Sequence, residues 1–300
     1  MKNIFHFFKV LSVLSLVFLI TACHKNPVFE EGYYHYQYSL DYLDFTHHYP
    51  VDNPTDYPVD NPTDYPVDNP TGNPNDGQPC TGTPTVTDVD GNVYKTVQIG
   101  NQCWMRENLR TTKYSDGTAI ALGSSTSTST AYRYNSNNDT VHVPTYGYLY
   151  NWKAVMRNSS SSSANPSGVQ GVCPAGWHVP SYDEWKQLTD YVSSQSQYQC
   201  GGTSTSIAKA LASTTGWSSS STTCAVGNNR SSNNATGFSA LPAGYYSGSY
   251  DYFGNRANFW SSTEGYSNTA YGRRLDYYNA SVGSHDNFKY YGYSVRCLRN

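Results

Sequence analysis

Hydrophobic and polar positions change period several times along this chain, and each change marks an element. An apolar run, Val10 to Ile20, follows the basic residues Lys2 and Lys9 and ends at Thr21-Ala22-Cys23. It is shorter than the roughly 20 residues that span a bilayer, so it reads as a signal-peptide core before a cleavage site. Two runs rich in β-branched residues flank Asp90-Gly91 between residues 85 and 100, the pattern of a β-hairpin around a favoured turn pair. Asn101 to Leu109 continues as strand or turn, and residues 122–130 form a Gly/Ser/Thr loop. Leu149, Trp152 and Met156 fall at spacings of three and four, which predicts a short helix over 148–156.

The clearest helix begins at Ser181. Ser181-Tyr182-Asp183-Glu184 is a capping box, in which the serine hydroxyl takes the amide three residues on and Glu184 reaches back. Trp185, Leu188 and Val192 line one face before the polar run from Ser193. A second short helix is expected over 206–212. Strands are expected at Phe238–Leu241, Asn258–Ser262, Ala270–Tyr277 and Tyr293–Arg299. The class is α+β: twisted antiparallel strands, a few short helices and long loops.

Composition divides the chain into three. Residues 1–22 are the signal segment. Residues 23–79 hold three near-copies of an octapeptide, starting at Tyr49, Tyr57 and Tyr65, with two prolines each. Proline removes backbone donors, and the period is too short for a solenoid unit. Residues 24–79 also carry ten acidic side chains against Lys25 alone, a net −9, so an extended, self-repelling stalk is expected. A calcium-loop reading lacks the glycine turn and terminal glutamate of known motifs. Residues 80–300 make the globular part. Its charge is +4, because the chain totals −3 and the signal segment holds +2. The positive residues are spread out, which argues against a nucleic-acid partner.

Ile20-Thr21-Ala22-Cys23 resembles the bacterial lipobox, which implies acylation of Cys23 and anchoring to a membrane without spanning it. The other six cysteines are an even set, as in disulfide-stapled exported domains. Fifteen connectivities are open. Position favours Cys80–Cys103 and Cys200–Cys224 as local loops, and Cys173–Cys297 as a tie to the C-terminal strand. No zinc spacing appears among them. The 29 tyrosines and 6 tryptophans against 3 methionines imply a core built from rings with polar tips.

Five segments taken together resemble a known family: Asp90-Gly91-Asn92-Val93-Tyr94; Gln102-Cys103-Trp104-Met105-Arg106-Glu107-Asn108-Leu109; Tyr146 to Trp152; Cys173-Pro174-Ala175-Gly176-Trp177-His178-Val179-Pro180; and Ser294-Val295-Arg296-Cys297. With Gly237 to Gly244 and Phe259-Trp260-Ser261-Ser262, they look like the FISUMP (Fibrobacter succinogenes major paralogous) domain over residues 85–299. That resemblance implies an exported protein or lipoprotein of Bacteroidetes-type bacteria, placed in the outer membrane or at the cell surface. Trp177 to Trp185 and the terminal Tyr-Ser-Val-Arg-Cys are also similar to the formylglycine-generating-enzyme group, which implies a C-type lectin-like fold. A Cys173–Cys297 bridge fits that fold. Asp139-Thr140-Val141 resembles a bacterial O-glycosylation acceptor.

Catalysis is not expected. Pairing of the six domain cysteines leaves no thiolate for a copper site, and residues 80–300 hold only His142, His178 and His285. His178 reads as a structural hydrogen-bonding histidine. Asp183 and Glu184 are neighbours, but Glu184 belongs to the cap, and no nucleophile elbow, zincin motif or phosphate loop is present. No metal or cofactor is expected. A binding role is: rings beside Asn, Asp and Arg suit glycans, and the candidates are Trp217, Tyr245, Tyr246, Tyr250, Tyr252, Asn255, Tyr266, Asn268 and Tyr271. Tyr/Ser/Gly/Asn-rich loops equally suit a surface-protein partner in adhesion.

Overall fold

A computed structural model describes residues 73–300. The signal segment, Cys23 and the octapeptide repeats lie outside the described residues. Residues 73–79, expected in the stalk, belong to the domain: Asp76 accepts from the Tyr191 and Tyr198 hydroxyls and from the Gly100 amide, and the Gly77 amide donates to the Gln98 carbonyl.

The first strands are β1 (Thr85–Thr87), β2 (Val93–Ile99) and β3 (Gln102–Met105), an antiparallel meander. Its first turn is held by Asp88, whose carboxylate accepts from the backbone amides of Asp90 and Asn92. Gly91 supplies the positive φ of +84° that this turn requires. A second small sheet follows: β4 (Ala121–Leu122), β5 (Tyr132–Asn135) and, after helix α1 (Val143–Tyr146), β6 (Tyr148–Tyr150). The helix predicted over 148–156 is therefore shorter than expected. Tyr148–Tyr150 pairs with β5, and Asn151 then caps α2 (Trp152–Met156) through its side-chain oxygen, which accepts from the Ala154 amide at 3.0 Å.

Strand β7 (Trp177–His178) leads into α3 (Tyr182–Ser194), which carries the expected capping box at Ser181 and Glu184. Its buried face is Trp185, Leu188 and Val192. Helix α4 spans Ala208–Leu211. Phe238–Leu241 is not a strand. Ser239 takes a positive φ of +57° and its amide turns back to the Asn234 side chain, leaving one bridge from Ala240 to Ala212.

The last third holds the hairpin β8 (Tyr245–Tyr246) and β9 (Tyr250–Asp251), then the meander β10 (Arg256–Glu264), β11 (Thr269–Asp276) and β12 (Gly283–Phe288). At the end of the chain only β13 (Leu298–Arg299) is regular strand, inserted between β3 and β7 in a five-stranded sheet ordered β1-β2-β3-β13-β7. The N-terminal meander and the end of the chain thus share one sheet.

Aromatic residues build the core, as the composition implies. Trp104 and Trp185 pack at 4.6 Å with Phe238 and Phe259 beside them. A second cluster includes Trp260, Tyr150 and Tyr293. Arg296 is wholly buried yet makes no ion pair among the described residues. Its guanidinium donates to Asn108 Oδ1 and to the carbonyls of Met105, Phe238 and Ser239. Burial pulls its pKa down to about 9, and the four acceptors satisfy the charge in place of solvent. Three disulfides staple the domain: Cys80–Cys103, Cys173–Cys297 and Cys200–Cys224. The architecture is α+β, with small sheets and short helices held by these bridges.

Candidate functional site

Two polar regions stand apart from the aromatic core. The first is a cleft of about 410 Å³ lined by His178, Glu184, Gln102, Asn165 and Asn300. His178 and Glu184 are both buried there, with Nε2 2.7 Å from Glu184 Oε1 and Nδ1 2.7 Å from Asn300 Oδ1. Burial alone would lower the His178 pKa, but the hydrogen bond and charge of Glu184 hold it above its ordinary value. The other oxygen of Glu184 accepts from the Ser181 and Ser167 amides. The imidazole and carboxylate of this pair are matched by protein groups, so the pair binds β7, α3 and the chain end together.

The second region lies on the three-stranded meander. Directly paired residues of antiparallel strands share a face. One face therefore carries Arg256, Asn258 and Trp260 from β10, Asp276, Arg274 and Gly272 from β11, and Gly283 and His285 from β12. The opposite face carries Phe259 and Arg273, which pack on Trp185 and Tyr182 of the α3 region. On the first face, Tyr293 stacks on Trp260 at 4.4 Å and meets His285 edge-on at 5.6 Å. A Cβ on Gly272 would come within 3.1 Å of His285 Nε2, so glycine leaves the space that the imidazole occupies.

Asp276 joins two arginines. Its Oδ1 accepts from Arg256 Nε at 2.6 Å, and its Oδ2 lies 2.8 Å from Arg274 Nε. The second contact is an ion pair by distance, but its angle falls outside hydrogen-bond geometry. Arg256 lies over the Tyr252 ring at 3.6 Å and beside Tyr278. Tyr252, Tyr245 and Tyr291 form a near-parallel column, with centroids 5.6 and 5.7 Å apart. The β8 end of the hairpin sets this column, because Tyr246 and Gly292 exchange both backbone hydrogen bonds, which puts Tyr245 opposite Tyr293 and diagonal to Tyr291 on the same face. Gly292 is required for that approach: a Cβ there would lie 2.8 Å from the Tyr134 ring.

This face keeps polar groups without protein partners. Both ring nitrogens of His285 are shut from solvent and make no hydrogen bond among the described residues. Its pKa is pushed down to about 3, by burial first and then by Arg274, Arg273 and Arg256. The imidazole is therefore neutral, with one N–H and one acceptor nitrogen unused. The Nη atoms of Arg274 and the hydroxyls of Tyr245 and Tyr252 likewise take part in none of the hydrogen bonds of the described residues. Burial raises the Tyr245 pKa, so its phenol stays protonated.

Of the nine expected contact residues, the structure brings Tyr245 and Tyr252 together, with Asn255 in the adjoining turn where its amide donates to the Tyr252 carbonyl. Trp217 is not available: it is 1% exposed and its indole N–H donates to the Ala240 carbonyl in the core. Tyr246 is also core, stacked at 4.1 Å on Tyr134, with half-buried Tyr250 against it. Both are consumed by packing. Tyr271 sits on the face toward α3, edge-on to Tyr182. Tyr266, 75% exposed, and Asn268 occupy the β10–β11 turn, where the Asn268 carbonyl accepts from the Lys289 amide.

Arg256, Arg274, Asp276, His285, Tyr291 and Tyr293 were not among the expected contacts. The period-two alternation Gly272, Arg274, Asp276 in β11 puts two of them on one face, and the other four have no signal in the sequence. Among the described residues, no group of three or more His, Cys, Asp or Glu could hold a metal ion, and no helix is long and apolar enough to cross a membrane.

The family model of the Fibrobacter succinogenes major domain matches residues 97–299, more than half of the chain. The chain belongs to this family. Neither the curated proteins nor the solved structures yield a match. The match takes in the capping box, the His178–Glu184 pair, Arg296 and the meander with its arginine face. It begins after β1, so the first turn and Cys80 lie outside it.

Proposed function

We propose that this FISUMP domain is a non-catalytic glycan-binding module of a surface lipoprotein, with the ligand held on the Arg274–His285–Tyr245 face of the meander. The observation that carries the reading is the set of unused donors and acceptors on that face. Leaving such groups unpaired costs about 1–3 kcal/mol each when buried, whereas a hydroxyl-rich ligand would supply partners for them. Sugar recognition draws on such convergent polar groups beside aromatic surface. The pairing of all six domain cysteines leaves no thiolate for chemistry, which favours binding over catalysis.

A C-type lectin-like arrangement is part of the proposal. In its favour, β13 returns between β3 and β7, and Cys173–Cys297 ties the end of the chain to the segment preceding α3. Acylation at Cys23 would place the domain on the outer membrane beyond an acidic spacer. A protein ligand in adhesion is the second reading, favoured by the exposed rings of Tyr252, Tyr266 and Phe288.

The test is a glycan array probed with the full chain held in detergent, with and without calcium. Saturable binding to one glycan class, lost in Tyr252→Ala, is the expected result. A blank from folded protein would sink the glycan reading and direct attention to cell-surface proteins.

A further inference from the structure

We infer that the ligand of this face carries a carboxylate, seated on the Arg274 guanidinium, so that the glycan class is an acidic, uronate-type oligosaccharide. The inference rests on the glycan reading and narrows it. Arg256 and Arg274 share the face of His285, Arg273 lies behind the sheet, and Asp276 is the one carboxylate in ion-pair contact with any of the three among the described residues. Arg273 lies on the opposite face, toward α3, where it is buried, donates to the Tyr182 carbonyl and feels the charges of Asp190 and Asp183, so it adds nothing to this face. Asp251, the other acid nearby, is bound to the hydroxyls of Ser247 and Ser249. On this face two arginines thus share one carboxylate, which leaves one positive charge unmatched in a domain that itself carries +4.

The geometry narrows the anion further. Asp276 pairs with Arg274 from the Nε side, while the Nη atoms make no hydrogen bond among the described residues and the side chain is 36% exposed. A planar fork with its outer edge free matches a planar carboxylate through two parallel hydrogen bonds. Beside it, the Tyr245 and Tyr252 hydroxyls make no hydrogen bond among the described residues, and the neutral His285 has one donor and one acceptor unused but shut from solvent, so that a ligand reaches them only by displacing the side chains that cover them. Those are partners for the ring hydroxyls that accompany a sugar carboxylate. A free carboxylic acid would use the arginine and leave them idle.

The decisive comparison needs no mutation. A uronate oligosaccharide, its carboxyl-reduced neutral counterpart, a sulfated oligosaccharide of equal length and acetate are titrated against the full chain in detergent. The uronate oligosaccharide should bind at least about tenfold more tightly than each of the other three, with affinity falling as salt rises. Arg274→Gln should remove that preference, while Lys186→Gln on α3 leaves it intact. Equal binding of the carboxyl-reduced glycan overturns the inference and leaves the glycan reading standing. Preference for the sulfated glycan, or a preference that survives Arg274→Gln, also overturns it. Binding of none of these, nor of any glycan on the array, removes both. Misfolding of Arg274→Gln would not shield the inference, because the carboxyl-reduced arm is read on the unaltered protein.

Discussion

At the seam of β7 and β13, His178 has a partner on each ring nitrogen, whereas on the meander His285 has none among the described residues. The ring nitrogens of both are removed from solvent, and their titration moves in opposite directions. Glu184 raises one against the effect of burial; burial and three arginines depress the other. The seam is closed chemistry: one carboxylate serves a histidine, a helix cap and the Ser167 amide. The meander face is open chemistry, in which the fold positions charge and hydrogen-bonding groups and leaves them unmatched. Unsatisfied groups weaken a fold unless something outside it supplies the partner, so the contrast separates scaffold from binding surface.

The largest expected effect lies on the scaffold side. Glu184→Ala leaves His178, the Ser181 amide and the Ser167 amide without their acceptor, and breaking a buried pair costs about 3–5 kcal/mol. Urea unfolding should show the midpoint falling accordingly, and a loss below about 1 kcal/mol would mean that Glu184 does not tie the seam together. Next comes Cys173→Ser, with an expected loss of about 2–5 kcal/mol, as for native bridges of exported domains. A variant melting like the parent in non-reducing buffer would remove Cys173–Cys297 from the scaffold.

These two regions were unequally legible in the sequence. Ser181 to Glu184, the Asp90-Gly91 turn and the alternation of β2 are local patterns, in which a few adjacent residues satisfy one another's backbone groups, and they can be read from a line of text. Four of the cysteines close loops short enough to pair by proximity, which leaves Cys173 for Cys297. The meander face has no such local signature. His285 comes beside Arg274 and Tyr293, and Tyr293 beside Tyr245, only through the β10–β11–β12 register and the β8–Gly292 pairing. Composition could say that exposed rings exist, but not that Trp217 and Tyr246 would be spent on the core while Tyr245 and Tyr252 would not. With so many tyrosines, burial is decided by tertiary packing, and residue type carries little of that information.

A third effect tests the opposed titrations. The His178 pKa is raised, so its contribution is complete below the unfolded value of about 6.5 and is lost as pH rises through the folded value. The His285 pKa is depressed, so its contribution is complete above about 6.5 and is lost as pH falls toward the folded value. In the parent protein the two slopes oppose each other. In His285→Leu only the His178 slope remains. Between pH 7 and 5 the variant should therefore gain about 2 kcal/mol over the parent, at up to about 1.4 kcal/mol per pH unit. Parallel stability profiles for the two proteins would show that His285 already charges freely in the fold.

The smallest effect is the most telling about function. At pH 7, where His285 is neutral in the folded chain and mostly neutral in the unfolded one, His285→Leu exchanges two unpartnered nitrogens for apolar atoms of similar volume. Removing unsatisfied buried polar groups should raise stability by about 1 kcal/mol. A scaffold residue would behave otherwise: substitution of His178, whose nitrogens are both engaged, can only lose. A rise in the melting temperature of His285→Leu, accompanied by weaker uronate binding, would mean that the fold keeps this imidazole at its own expense and for the ligand. A fall in stability with binding unchanged would place His285 with His178 as part of the scaffold, and the distinction between the two regions would not stand.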